Sequence, residues 1–536
     1  MRQVAIGVDY GTNSVRAVVV DVADGAILGS SAHQYQRGTE GVILDERDVN
    51  LARQHPRDYT EGFIACVSGA VRSAGVLAEE VVGIGIDTTG STPLPVDADG
   101  IPLGFRPEFD TNPHAMAWLW KDHTGHAEAA EITELAATGG YPYLSKCGGT
   151  YSSEWYWSKI LRCSRVAPEV FAAAASWMEL ADFVPAWATG TLAKPRRSIC
   201  AAGHKAMFHE SWGGLPSSEF LAKLDPRLSR YYDEAVASDQ VAGGLTGEVA
   251  AACGLREGIP VAVGAFDAHM GAVGSGVRPG VLVKIVGTST CDILVGHGEP
   301  DIPGVCGVVP GSVIPGMVGI EAGQSAVGDL FNWFVRFCGR SHEELSAEAE
   351  RLKPGASGLV ALDWNNGNRT ILVDPQLSGL LVGASLHTTP AEVYRSLIEA
   401  TAFGALTIIR QIESCGVAID EVINCGGIAE KSALTMQIYA DACNRPMRVA
   451  GSPQTCALGA AIFGAVVGGA YSDVLVAQEK MVPPPSKTYE PNPAAVATYE
   501  QLFAQYSGLH DSFGRRNGAM ASVMKGLIAI REEARA

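Results

Sequence analysis

Short apolar runs set the rhythm of this chain. One runs from Val4 to Val8 and a second from Val15 to Val22, and between them lie Asp9-Tyr10-Gly11-Thr12-Asn13-Ser14. The simplest geometry is two antiparallel strands joined by a tight turn at Gly11. The layout returns about half the chain later: Val281 to Val286 is apolar, Gly287-Thr288-Ser289-Thr290 interrupts, and a second run reaches Val295. Two copies of one hairpin predict two similar α/β domains facing each other across a cleft.

Other stretches fill in the elements. Glu61 to Ala74 has helical spacing, and Val81 to Ile86 is a buried strand that ends in Asp87-Thr88-Thr89-Gly90-Ser91-Thr92. The run Pro113 to His123 is read as continuing into a helix through Ala137, and Tyr151 to Arg162 as a helix carrying Trp155, Trp157 and Lys159. Lys194-Pro195-Arg196-Arg197 is read as a solvated basic loop. Ile259 to Gly264 is a strand, after which Asp267 opens a glycine-rich helix. Leu330 to Cys338 and Pro390 to Glu413 are helical, Glu421 to Cys425 is a strand, and Gly426-Gly427 turns it into another helix. Pro483-Pro484-Pro485 reads as a linker and Pro493 to Ala534 as a helical tail. The expected organisation is a first domain over 1–274, a second over 275–481, and a linker with tail over 482–536.

Composition narrows the class. At 536 residues, 47% hydrophobic and 18% charged, the chain can bury more than one core. A net charge of −18 argues against nucleic acid and anionic membrane as partners, since both demand clustered Lys and Arg. Twelve cysteines without a CxxC pair, and no leader before the first strand, point to reduced thiols in a cytoplasm. Thr455 to Ser472 carries no charge and could span a bilayer by length. Its Gly459, Gly464, Gly468 and Gly469 instead favour a closely packed buried helix.

Candidate chemistry gathers at strand ends. A Gly-Thr turn aims backbone N–H groups and short hydroxyls at one spot, which suits a phosphate, and Asp9 at its mouth could hold magnesium through water. Asp267 follows a buried strand, where a carboxylate can take a proton from an attacking hydroxyl; an N-cap role would explain it equally. Asp87 reads more simply as a turn acid bonding local N–H groups than as a cleft residue. Lys205 stands among small residues and can donate to a hydroxyl-rich ligand. Trp118 and Trp120 offer indole faces to the C–H surface of a sugar. Glu321 precedes a glycine turn, and Gly426-Gly427 lets backbone approach a ligand closely. His123, His126 and Glu128 form a weak metal candidate, short of four ligands. No GxxxxGK[ST] occurs anywhere, which excludes a P-loop kinase, and no GxGxxG follows the first strand, which argues against a Rossmann dehydrogenase.

The paired hairpins resemble the actin, hsp70 and sugar-kinase superfamily, whose ribonuclease H-like domains grip nucleotide phosphates from both sides. Taken in order, GVDYGT, GAFDAH, VGTSTC, GLLVGASLH and CGGIAEKS resemble the FGGY carbohydrate kinases over nearly the whole chain. LWKDHT, CAAGHKAM and EAGQSAVGDLFNWF are similar to the members that act on L-ribulose. That resemblance implies ATP-dependent phosphorylation of L-ribulose at O5, as in L-arabinose catabolism, with ATP and Mg2+ as co-reactants. By position it implies Asp267 as base, Gly11, Thr12 and Asn13 as the first phosphate loop, and Asp9 as the magnesium-associated acid. It implies Gly287 and Thr288 as the second loop, Gly427 and Lys431 at the adenosine, and Gly90, Trp120, Lys205 and Glu321 at the sugar. A homodimer is compatible with it. Two other readings stay open at this point: a kinase for D-ribulose, ribitol, xylulose or glycerol, and a nucleotide-dependent binding protein without sugar chemistry.

Overall fold

A computed structural model describes residues 2–535. The N-terminal half is built on a seven-stranded sheet. Strands β1 (Val4–Tyr10), β2 (Ser14–Asp21) and β3 (Ile27–Gln34) form an antiparallel meander, and β4 (Val81–Thr88) pairs parallel with β1 on its other side. Beyond β4 come β5 (Val241–Gly244), β6 (Pro260–Ala262) and the short β7 (Ala265–Phe266), the last two parallel to β4. Seven strands also form the second sheet. Here β8 (Gly280–Val286), β9 (Thr290–Gly296) and β11 (Val318–Ala322) make the meander, β10 (Gly307–Pro310) forms its edge, and β12 (Ile419–Cys425), β13 (Met447–Val449) and β14 (Lys487–Tyr489) continue from β8. Each sheet therefore carries an antiparallel hairpin whose first strand also pairs parallel with a later one, as the repeated hairpin predicts.

One helix ties the sheets together. Helix α7 (Thr455–Val467) lies against β1 and β4 and against α3 (Asp267–Gly274). Glycines on both surfaces allow the approach: a Cβ on Gly7 would sit 1.8 Å from the Ala457 carbonyl oxygen, and one on Gly459 would sit 1.8 Å from that of Met270. A single apolar cluster joins Ala5 and Val18 of the first sheet, Val283 and Ile293 of the second, and Ala457 and Ile462 between them. The uncharged stretch is thus a buried helix, and among the described residues no helix is long and apolar enough to cross a membrane.

Several expectations need correction. Helix α1 (Pro56–Ala74) starts five residues before Glu61, because Pro56 opens it and the His55 ring, an uncommon cap, accepts from Arg57 N–H. Pro113–Ala115 is a single 3₁₀ turn and Ala117–Trp118 a strand; the helix begins only at His126, so His123 and His126 share no helix face. The helix expected from Tyr151 begins at Tyr156. Arg197 is not solvated: it is buried and pairs with Asp182 at 3.2 Å. The tail helix α8 (Pro493–Gly514) packs on the C-terminal half, where Tyr499, Phe503 and Tyr506 join the core.

Candidate active site

Parallel pairing brings three carboxylates to one sheet edge. Asp9 and Asp87 are register partners at the ends of β1 and β4, and β7 beside them delivers Asp267 as the first residue of α3. The two Asp87 oxygens have no hydrogen-bond partner, against the expectation that they would bond local N–H groups. Burial, and then the Asp9 charge beside it, push Asp87 well above the ordinary carboxylate range. Burial pushes Asp267 up to about 7, with Asp9 adding to the shift, while the Ala268 N–H donated to its Oδ1 at 2.7 Å works the other way. Three carboxylates gathered at one sheet edge, with Asp87 buried and both its oxygens unpartnered, call for protons or a cation.

Each Gly-Thr turn is closed by its glycine: Gly11 N–H donates to Ser14 O, three residues on, at 2.9 Å, and Gly287 N–H to Ser289 O, two residues on, at 3.0 Å. Behind the first turn, Gln54 Nε2 donates to the Thr12 carbonyl at 2.7 Å, and Trp120 Nε1 donates to Thr12 Oγ1 at 3.0 Å. The Asn13 amide is engaged with the Glu40 carbonyl at 2.7 Å, so that side chain braces the loop. The second turn is held by the start of α4 (Gly328–Cys338), whose Gly328 N–H donates to Gly287 O at 3.0 Å. The Gly426-Gly427 turn lies against the end of β8, where a Cβ on Gly426 would meet the Val286 oxygen at 2.8 Å. Gly427 and Lys431, on α6 (Gly427–Lys431), are exposed.

A lysine and a glutamate meet across the halves. Lys205, at the end of α2 (Ile199–Lys205), donates to Glu321 Oε1 at 2.8 Å and Oε2 at 3.1 Å, and Glu321 lies on β11. Burial opposes the Glu321 charge, but Lys205 and two neighbouring imidazoles outweigh it and hold the carboxyl far below its usual range. Gly90 is packed against the Phe266 ring, where a Cβ would come within 2.1 Å. Its loop is held from behind by Glu179, which accepts from Thr92 N–H at 2.7 Å, and by Lys159, which donates to the Ser91 carbonyl at 2.7 Å.

One cavity of about 930 Å³ collects these groups. Thr12, Gly90, Trp120, Lys205, Asp267, Gly287, Thr288 and Glu321 line it; Asp9, Gly11 and Asn13, and on the far side of the second turn Gly427 and Lys431, do not. Sequence reasoning missed Glu154 and Arg369, which also line the cavity and approach to 3.6 Å from opposite halves. Glu154 falls in the loop just before the helix that begins at Tyr156 and Arg369 in a stretch without regular structure, and only their shared cavity identifies them. His123 turns to Ser153 Oγ at 3.1 Å and Glu128 to Arg165 at 3.4 Å, so no metal set forms there.

The arrangement can seat a phosphate chain between two turns and a hydroxylated molecule against Trp120, Lys205 and Glu321, with Asp267 between them. Comparisons with known proteins bear on this geometry. The FGGY family of carbohydrate kinases matches through its N-terminal domain over residues 4–274 and its C-terminal domain over 282–467. A ribulokinase of Halalkalibacterium halodurans is 42% identical, over 98% of this chain and 97% of its own. A ribulokinase of Geobacillus thermodenitrificans is 43% identical, over 100% and 98%. A Brucella ovis xylulose kinase structure superposes with a TM-score of 0.81 at 21% identity, over 95% of this chain and 99% of that one. A Plasmodium falciparum glycerol kinase with ADP does so at 0.76 and 14%, over 94% and 98%. These last two show a shared fold.

Proposed function

Because the chain belongs to the FGGY family of carbohydrate kinases, we propose that it transfers the γ-phosphoryl group of ATP to ribulose, with L-ribulose as substrate and O5 as the acceptor. The observation that carries this reading is the whole-chain identity to ribulokinases, joined to one cavity lined by Asp267, by Thr12 and Thr288 of the two turns and by the Lys205–Glu321 pair.

The halves divide the work. The first, over 1–274, supplies the base and most of the sugar site; the second, over 275–481, supplies the nucleotide side, with Gly427 and Lys431 at the adenosine. N–H groups and hydroxyls at Thr12 and Thr288 hold the phosphates from opposite sides. Trp120 covers the sugar's C–H face while its N–H fixes Thr12, so sugar and phosphate are placed by linked groups. Lys205 and Glu321 orient the hydroxyls. Asp267 accepts the O5 proton as that oxygen meets the γ-phosphorus in line, and most of the rate comes from positioning. A base with its pKa raised to about 7 suits proton transfer near neutral pH.

The residues fit a magnesium ion: Asp87 is buried with both oxygens unpartnered, and Asp9 stands beside it. Asp9, through water, and Asp87 would hold it. There it would neutralise charge on the β- and γ-phosphates.

The test is ADP release with magnesium-ATP against L-ribulose, D-ribulose, ribitol, L- and D-xylulose and glycerol. Preference for L-ribulose supports the assignment. Preference for another acceptor keeps Asp267 and replaces the sugar-site roles. No stimulation by any of them rejects the kinase reading.

A further inference from the structure

Lys159, on the helix Tyr156–Val166, is buried and does not line the cavity. Its Nζ nevertheless reaches two segments that do. It donates to the Ser91 carbonyl at 2.7 Å, to the Leu119 carbonyl at 2.9 Å and to the Trp118 carbonyl at 3.2 Å. Ser91 follows Gly90 in the chain and Leu119 precedes Trp120, and both Gly90 and Trp120 line the cavity. One nitrogen therefore joins the two backbone segments that present these sugar-side groups.

The three carbonyls also fix the charge on that nitrogen. A neutral amine has two N–H groups and a lone pair, so one carbonyl would face the lone pair in a buried site. An ammonium matches three donors to three acceptors. Burial opposes the charge, and the Glu179 carboxylate supports it. Glu179 ends the strand Ser176–Glu179 and holds the same loop: its Oε2 accepts from Thr92 N–H at 2.7 Å, and its Oε1 pairs with the Ser91 hydroxyl. Ser91 thus stands between two opposite charges, its carbonyl on the ammonium and its hydroxyl on the carboxylate. Removing either charge alone would leave the other buried without its counter-charge.

We infer that Lys159 is a positioning residue of the sugar site, whose ammonium ties the Gly90–Thr92 loop to the Trp118–Trp120 segment and so sets the spacing of Gly90 and Trp120 around the sugar. Glu179 fixes the loop end of that tie and balances its charge. The first phosphate turn keeps its own closure at Gly11 and its own contact with Gln54, so the tie acts on the sugar and not on ATP. This rests on the assignment of Gly90 and Trp120 to the sugar, and the test separates the two.

Lys159→Met removes the three donors and keeps an unbranched side chain. It should raise the ribulose KM at least about tenfold, with kcat and the ATP KM within about threefold of wild type. Because it also strands the Glu179 charge, the double variant Lys159→Met with Glu179→Gln is measured beside it. There Tm should recover toward wild type while the ribulose KM stays raised, since nothing spans the two segments. A ribulose KM restored in the double variant makes Lys159 a counter-ion only and overturns the inference, as does a rise of both KM values together. Trp120→Ala tests the assignment beneath: an unchanged ribulose KM there removes Trp120 from the sugar site, and the inference falls with that assignment. Nitrogen NMR of lysine-labelled wild-type protein near neutral pH needs no variant. A Lys159 ammonium signal that shifts when L-ribulose is added supports the inference; a neutral amine, or a signal that L-ribulose leaves in place, overturns it.

Discussion

At the scale of single residues the site turns on charge placed where water is excluded. Burial, with Asp9 close by, raises Asp267 to about 7, and a base must be deprotonated to act. Measured as kcat/KM for magnesium-ATP at saturating ribulose, activity should fall about tenfold per pH unit below that break. A flat profile down to pH 5.5 would remove Asp267 from the role. For Asp87, also raised by burial and by Asp9, the folded state binds a proton that the unfolded chain gives up. Stability therefore declines as pH rises from the unfolded value toward the folded one. Asp87→Asn should raise Tm by about 2 °C at pH 8 while cutting turnover, and calorimetry beside the activity assay checks both. Glu321 is the opposite case, held low by Lys205 against its own burial. Lys205→Met should strand it and raise the ribulose KM at least about tenfold, with the ATP KM unmoved. Asp267, Lys205 and Glu321 were legible in the sequence because each is a charge amid small or apolar neighbours. Asp87 was not: Thr and Gly around it also describe a capped turn, and only the parallel register with Asp9 shows where it points.

At the scale of elements, periodicity located the strands of both hairpins and failed where local chemistry was unusual. Helix α1 opens on a histidine cap, and the stretch after Pro113 breaks into a 3₁₀ turn and a strand that no apolar period announces. Where small residues cluster, as at Gly459 and Gly464 of α7, the sequence does mark close packing. The contacts are tight enough to test: a Cβ on Gly274 would lie 2.0 Å from the Thr455 carbonyl oxygen, and one on Gly459 1.8 Å from that of Met270. Gly459→Val should cost about 3 kcal/mol and lower turnover as well, because α3 carries Asp267 at its start. Denaturant unfolding measures the first and ADP release the second. An unchanged midpoint would mean that α7 does not fix the two halves.

At the scale of the whole molecule, the repeat of one hairpin announced two similar sheets before any contact was known. What the sequence did not show is how they are joined. The Lys205–Glu321 pair, the His204–Ser312 contact and the Glu154–Arg369 approach all cross between halves, and long-range pairs of this kind leave no local pattern. The side taken by the tail was equally hidden. It depends on Tyr499 accepting from Arg395 Nη2 at 2.8 Å and donating to Glu399 at 3.0 Å, both on α5 (Pro390–Ser414), and on Tyr506 donating to Asp363 at 3.0 Å. A chain ending at residue 491 should lose nucleotide binding through collapse of the C-terminal half, seen as loss of its thermal transition. In the proposed reaction Asp267 takes the proton of a ribulose hydroxyl while the two turns hold ATP. Its most direct test is L-ribulose-dependent ADP release by wild type and by Asp267→Asn, with nucleotide affinity measured on both. Turnover should fall at least about a thousandfold in the variant with nucleotide affinity within about threefold. Turnover within about tenfold of wild type would contradict it.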